Sequence, residues 1–313
     1  MREDELFIGI FGLKVYTFGL YVMIGAAFSM LALYLLGRTS VLKKGTLPLT
    51  ALLSLLLGPV VSRLVFCLLN RELGRMMPLN TWFEVTGGGW SMFGLLGGVM
   101  LAGWLSAKIM KEKAGRILDI LCISVLPAII AERIAENRTE DFDISRAIDN
   151  KFLAKSFLAV GEDEPCLATY YFAAAAALAL FVILLVRYAK RKEDGDVTIS
   201  FLLLFGAVAI VTESLRYDRF LSISFVGLQQ IFAAVMLAIG VIIAWTRGKR
   251  DKRTLGIIAL ISVPLAIGIV LGIEFALDRT VWNKILLYAV MIATVAVPAT
   301  LGHKLINGKG TQP

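Results

Sequence analysis

LCISVLPAIIAERIA (Leu121–Ala135) is an apolar run that closes on a charged pair, Glu132 and Arg133. Two other stretches close in the same way. LLSLLLGPVVSRLVF (Leu52–Phe66) carries Arg63, and FGAVAIVTESLR (Phe205–Arg216) ends on Glu213 and Arg216. Runs of this kind predict membrane-spanning helices, which need about 20 mostly apolar residues. An arginine at bilayer depth costs roughly 2.5–3.5 kcal/mol even on a lenient insertion scale. Three of them near the ends of spans point to a shared anionic partner, and in a membrane that partner is a lipid phosphate.

Outward from these stretches, the composition agrees. The chain has 313 residues, of which 58% are hydrophobic, and its mean hydropathy is +0.78. A soluble domain is about 45–50% apolar. The net charge is +8, but the basic residues cluster in short loops between apolar runs, which marks membrane topology and not nucleic-acid binding. There are three cysteines, Cys67, Cys122 and Cys166, with no CxxC pair. The single histidine, His303, sits in the predicted C-terminal tail. A histidine metal site or a catalytic triad is therefore not expected, and neither a metal nor a cofactor is predicted. The N-terminal MREDELFIGIFGLK is acidic and lacks a basic n-region, so the first span is expected to stay in the mature protein.

The pattern predicts an all-α polytopic integral membrane bundle of about nine helices. The expected spans are about 15–37, 48–69, 90–110, 116–135, 166–187, 197–215, 225–246, 255–276 and 281–301. Loop 38–47 carries Arg38, Lys43 and Lys44. Loop 108–116 carries Lys108, Lys111, Lys113 and Arg116 against Glu112, and loop 247–254 is also strongly basic. The alternate segments are neutral or, over 136–165, acidic. All basic loops fall on one side, which predicts an outside N-terminus, a cytoplasmic C-terminus and a small extracytoplasmic head at 136–165. Arg63, Arg133 and Arg216 then lie at the outer level with Tyr16, Trp90, Ser91, Gln229 and Gln230, whereas Asp119 lies at the inner level.

Each of these residues also has a plainer reading. One arginine near a helix end can snorkel to the interface, and Arg216 can pair with Glu213 at i,i+3. Tyr16 and Trp90 fit an interfacial aromatic belt. Asp119 fits a charge complementing a helix N-terminus. Gln229 and Gln230 fit interhelical hydrogen bonding. In GGGWSMFGLLGG (Gly87–Gly98), Gly94, Gly97 and Gly98 fit close helix packing. Gly87–Gly89 with Ser91 alternatively offer N–H groups to an anion. Pairing of Cys67 with Cys166, both at the outer level, stays open.

The order of these motifs resembles the prolipoprotein diacylglyceryl transferase family. FGLKVYTFGLYVMIGAAFSM (Phe11–Met30) is similar to its first span, with Tyr16 at the characteristic tyrosine. GPVVSRLVFCLLN resembles its arginine-bearing second segment through Arg63, and GGGWSMFGLLGG its third-span block through Ser91. ILDILCISVLPAIIAERIAEN resembles the span leading into its Gly-Arg-hydrophobic-Gly-Asn signature, with Asp119 and Arg133 at matching places. TESLRYD resembles its Glu-Phe-Phe-Arg-x-Pro-Asp motif and FVGLQQIFAAVMLAIG its Gly-Gln-containing last span. The chain also departs from the family. Phe93 stands where the family has a histidine, Glu136 stands at the signature asparagine, and Glu132 and Ala135 stand at the signature glycines. Only a tyrosine survives of the motif before span five, in PCLATYYF.

The resemblance implies a membrane transferase that moves a diacylglyceryl group from phosphatidylglycerol, or another anionic phospholipid, to the lipobox cysteine of a prolipoprotein signal peptide or a related acceptor. It implies a bacterial cell membrane, a seven-helix core over residues 1–250 and an added two-helix hairpin over 251–313. Arg63, Ser91, Arg133 and Arg216 would contact the lipid phosphate. Tyr16, Glu136 and Glu213 would be left to accept the acceptor's proton. The departures keep a second expectation in view, a catalytically inactive family member that binds lipid.

Overall fold

The computed structural model describes residues 6–10, 13–69, 89–136, 148, 151–160, 165–216, 222–223, 226–248, 253–280 and 282–307. Among them, nine helices are long and apolar enough to cross a membrane. They are α1 Thr17–Arg38, α2 Thr46–Leu69, α3 Met92–Met110, α4 Ala114–Ala135, α5 Thr169–Ala189, α6 Asp196–Leu215, α7 Leu228–Arg247, α8 Arg253–Arg279 and α9 Lys284–Asn307. The protein is a polytopic helical membrane bundle, as its apolar runs predict.

The ends differ from expectation where short ladders or caps intervene. Helix α5 starts at Thr169 because Cys166–Leu167 pair antiparallel with Ala159–Val160. Helix α7 starts at Leu228 because Val226–Gly227 pair with Ser222–Ile223. Helix α9 starts late because Asn283 caps it, its Oδ1 accepting from the N–H of Ile285 at 3.0 Å. It also runs on through His303, which therefore lies in a helix and not in a tail. Helix α4 is interrupted at Val125, between Ala114–Ser124 and Leu126–Ala135. Pro127 causes this, since it has no N–H to donate back and its ring crowds the preceding turn.

The chain divides into two compact units. The first comprises Met1–Gly25, Pro127–Val186 and Ile199–Pro313, and the second Ala26–Leu126 and Arg187–Thr198. In the second unit α2 packs inside out. Thr46, Thr50, Ser54, Gly58 and Ser62 recur at every fourth position and are buried, while Leu52, Leu55 and Leu56 are exposed. Lipid solvates leucine well, so small and polar residues go to the helix contact. Facing them on α3, a Cβ on Gly94 would lie 2.7 Å from the Ser62 Cα, and one on Gly98 would collide with the Leu57 carbonyl. Gly97, one position off that face, meets nothing within 4 Å and takes no part in the contact. In the first unit, α7, α8 and α9 pack on one another. Gly206 of α6 lies against the Leu237 and Ala233 backbone of α7.

Candidate functional site

The end of α4 and the end of α6 meet in the first unit. Glu132, Arg133 and Glu136 come from the first, and Glu213 and Arg216 from the second. Arg133 Nη1 donates to Glu136 Oε1 at 2.7 Å, and its Nη2 donates to Glu213 Oε1 at 3.0 Å. Its Nε lies 3.5 Å from Glu132 Oε2. Arg216 Nη1 donates to the same Glu136 Oε1 at 2.8 Å, with its Nε 3.9 Å from Glu213 Oε2. The side chains of Arg133 and Arg216 are 5% and 15% exposed, against 32% for Glu132.

One carboxylate oxygen therefore lies between two guanidinium groups. Two like charges this close in a poorly screened setting repel strongly unless an anion separates them. Glu136 is that anion. The i,i+3 spacing within each helix brings Glu136 to Arg133 and Glu213 to Arg216. Helix packing then adds the crossed pairs. Among the described residues the cluster holds two arginines and three carboxylates, so the arginines sit in a neutralised frame. Arg133 is the hub, with each of its three nitrogens facing a carboxylate. Arg216 is less enclosed, and its Nη2 lies outside the described hydrogen bonds.

Arg63 and Ser91 belong to the second unit. Arg63 Nη1 donates to the Gly89 carbonyl at 2.8 Å, and its guanidinium lies over the Phe66 and Trp90 rings at 5.8 and 5.9 Å. Gly89 has φ +74°, and a Cβ there would lie 2.7 Å from that same Nη1, so this turn needs glycine. Ser91 is the N-cap of α3, its hydroxyl accepting from the Gly94 N–H at 3.1 Å. Ser62 Oγ accepts from the Ser91 N–H at 3.0 Å and donates to the Ser91 carbonyl at 2.8 Å. The anion-presenting turn read at Gly87–Gly89 is described only at Gly89; Gly87 and Gly88 lie outside the described residues.

The remaining predicted residues fall elsewhere. Tyr16 is 40% exposed at the start of α1, and no described contact ties it to the arginines. Phe93, at the position of the expected histidine, is buried. Asp119 is fully buried and accepts from Gly195 N at 2.8 Å and from Thr198 N and Oγ1, both at 2.7 Å. It complements a helix N-terminus, as read, but that of α6 and not of its own helix. Gln230 Nε2 donates to Glu274 Oε1 at 2.9 Å and to the Ile210 carbonyl at 3.2 Å, which is the expected interhelical bonding. Cys67, Cys122 and Cys166 are thiols. The predicted head at 136–165 lies mostly outside the described residues, as does Asp218. Sequence reasoning passed over Glu274 and Tyr288. Glu274 carried a signal, as a carboxylate within the apolar run LGIEFAL; Tyr288 carried none.

Nine apolar helices with an arginine–carboxylate cluster at two helix ends define a multi-pass membrane protein with a charged site at the rim of its apolar spans. That class admits many activities, and sequence comparison narrows it. Residues 5–246 match the sequence profile of a family described as prolipoprotein diacylglyceryl transferase. The chain belongs to that family, whose activity is diacylglyceryl transfer in lipoprotein biosynthesis. No curated protein matches the chain. The matched span takes in every predicted site residue and stops before α8 and α9.

Proposed function

We propose that the chain is a phospholipid-dependent transferase, moving a diacylglyceryl group from phosphatidylglycerol to the lipobox cysteine of a prolipoprotein or a related acceptor. It would work at the outer face of a bacterial cell membrane, with the N-terminus outside and the C-terminus cytoplasmic. Residues 1–250 would be the transferase core. The observation that carries the reading is the position of Glu136 Oε1, 2.7 and 2.8 Å from two guanidinium groups. A single oxyanion between two arginines is what a phosphate oxygen supplies, and guanidinium suits it by geometry and charge.

In the reaction, the acceptor sulfur forms a bond to the terminal glyceryl carbon. The C–O bond to phosphate breaks, and glycerol phosphate leaves with the electron pair. Negative charge grows on the departing phosphate, and preorganised arginines stabilise it. Arg216, the less enclosed of the two, contacts that phosphate, and Arg133 holds the frame. A phosphate taking the place between the guanidiniums frees Glu136, so donor binding releases a carboxylate when a thiol proton must be accepted. Glu213 and Tyr16 are the other proton acceptors. Arg63 and Ser91 are carried as further phosphate contacts on the family resemblance alone. Purified protein given phosphatidylglycerol and a lipobox peptide is expected to release glycerol phosphate. No release, while a verified family enzyme is active alongside, would refute the activity.

A second reading is favoured by two observations. Phe93 is buried where the family carries a histidine, and Glu136 already satisfies both arginines. On that reading the protein binds phospholipid without turnover. It predicts co-purifying phospholipid that is lost in Arg216→Ala, and no glycerol phosphate release under any acceptor.

A further inference from the structure

Helices α8 and α9 lie beyond the matched residues 5–246, yet α9 contacts α6, the helix that carries Glu213 and leads into Arg216, and α8 reaches it through Gln230 of α7. Helix α6 ends at Leu215, so the carbonyls of its last turn have no intrahelical N–H to accept from. Two of them find partners nearby. The Glu213 carbonyl accepts from the Arg216 N–H at 3.2 Å. The Ser214 carbonyl accepts from the Tyr288 hydroxyl of α9 at 3.1 Å. A side chain from outside the family core thus closes the helix end between Glu213 and Arg216 of the cluster.

One turn deeper, Gln230 of α7 spends both amide hydrogens at once. One goes to the Ile210 carbonyl of α6 at 3.2 Å and the other to Glu274 of α8 at 2.9 Å. Gln230 and Glu274 are 4% and 6% exposed. An acceptor enclosed this far and aimed at an amide fixes which way that amide points. Further along, α9 lies so close to α6 that a Cβ on Gly302 would sit 2.8 Å from Leu203 Cδ2. Helix α9 therefore touches α6 at two levels, with α8 acting between them through Gln230, and the uppermost contact is on the backbone beside Glu213.

We infer that the α8–α9 hairpin positions the arginine–carboxylate cluster, with Tyr288 as the positioning residue for Glu213 and Arg216 and Glu274 as the one that orients Gln230. Neither touches the reacting atoms. The inference rests on the reading of that cluster as the donor-lipid site. Its mechanical part, the tie between Tyr288 and the end of α6, is independent of any reaction. An arginine that must meet a phosphate oxygen tolerates little displacement, so losing one neutral hydrogen bond at the helix end carries through to the transition state.

The test uses the full chain in detergent with two readouts, hydrogen–deuterium exchange over 213–216 and glycerol phosphate release from phosphatidylglycerol with a lipobox peptide. Tyr288→Phe is expected to speed exchange over 213–216 and to lower kcat/KM about fivefold, with the unfolding temperature almost unchanged. Glu274→Leu is expected to do the same, and Glu274→Gln, which keeps an acceptor for Gln230, to stay within about twofold of the parent. Unchanged exchange in Tyr288→Phe would overturn the inference. So would faster exchange with kcat/KM intact in a parent chain that turns over, since the tie would then be structural only. A parent chain with no turnover refutes the transferase reading by itself, and the exchange result still decides whether Tyr288 holds the helix end.

Discussion

The two ends of α6 are both held by acidic side chains, and they are held in different ways. At the N-terminal end, Asp119 accepts two backbone N–H groups and one hydroxyl, all within 2.8 Å. The partners are mostly main chain, so the carboxylate is fixed by the helix it caps. It complements the positive end of the helix dipole and has no reason to move. At the C-terminal end, Glu213 and Arg216 join a cluster of side chains on side chains, with Glu136 shared between two arginines. Those bonds can exchange one anion for another without unwinding a helix. The difference separates a carboxylate held by the backbone it caps from one held by side chains, and on the proposed function only the second gives way to a ligand.

Arg133→Ala tests that contrast most severely. It strips Glu132, Glu136 and Glu213 of their common partner and leaves three carboxylates to the single charge of Arg216. Removing one member of a buried ion pair costs about 3–5 kcal/mol. The expected result is poor recovery of folded protein and a sharply lowered unfolding temperature in detergent. A variant that unfolds like the parent would mean the cluster is not a folded-state frame. Next in size is Asp119→Ala, expected to cost about 2–3 kcal/mol through three lost hydrogen bonds at a helix start. Because it acts at the scaffold end, the KM for phosphatidylglycerol measured below the melting range should not change. A raised KM would erase the distinction between the two ends.

Much of this arrangement was legible before any coordinates, for identifiable reasons. The spans were legible because lipid demands long apolar runs, and Arg216 with Glu213 was legible because i,i+3 spacing is a property of one helix. The crossed pairs, Arg133 with Glu213 and Arg216 with Glu136, were not, because they depend on how α4 and α6 pack. The partner of Asp119 was hidden for the same reason, although its role as a complement to a helix start was read correctly. Pro127 stood in plain view inside LPAIIAERIA, but apolarity carries straight across it, so α4 reads as one uninterrupted span. Glu274 was legible as a carboxylate in an apolar run and was passed over; Tyr288 looked like any aromatic at a span end.

Arg216→Ala comes third and acts on ligand more than on fold. Glu136 keeps its bond to Arg133, so the stability cost should be clearly smaller than that of Arg133→Ala. Losing one charge-assisted contact to a phosphate is expected to raise the KM for phosphatidylglycerol about tenfold. Arg216→Lys should recover part of this, since an ammonium keeps the charge but not the planar donor pair. Equal destabilisation by the two alanine variants would show that neither arginine is reserved for a ligand.

The smallest effect is expected from Ser91→Ala. The Ser91 hydroxyl accepts the Gly94 N–H as the N-cap of α3, and a lost cap of this kind costs about 1 kcal/mol. The turn itself should survive, because the two bonds from Ser62 go to the Ser91 backbone and do not involve the deleted oxygen. Gly89 and its bond from Arg63 should then stay in place. A hydroxyl that accepts a cap bond still has its own proton to give, so the cap and a phosphate contact are compatible. The expected outcome is a small drop in unfolding temperature with a KM for phosphatidylglycerol raised about threefold or less. A KM rise well beyond tenfold at unchanged stability would make Ser91 a direct phosphate donor of the same rank as Arg216. A change in stability alone would leave Ser91 beside Asp119, among the residues that hold helix ends and nothing else.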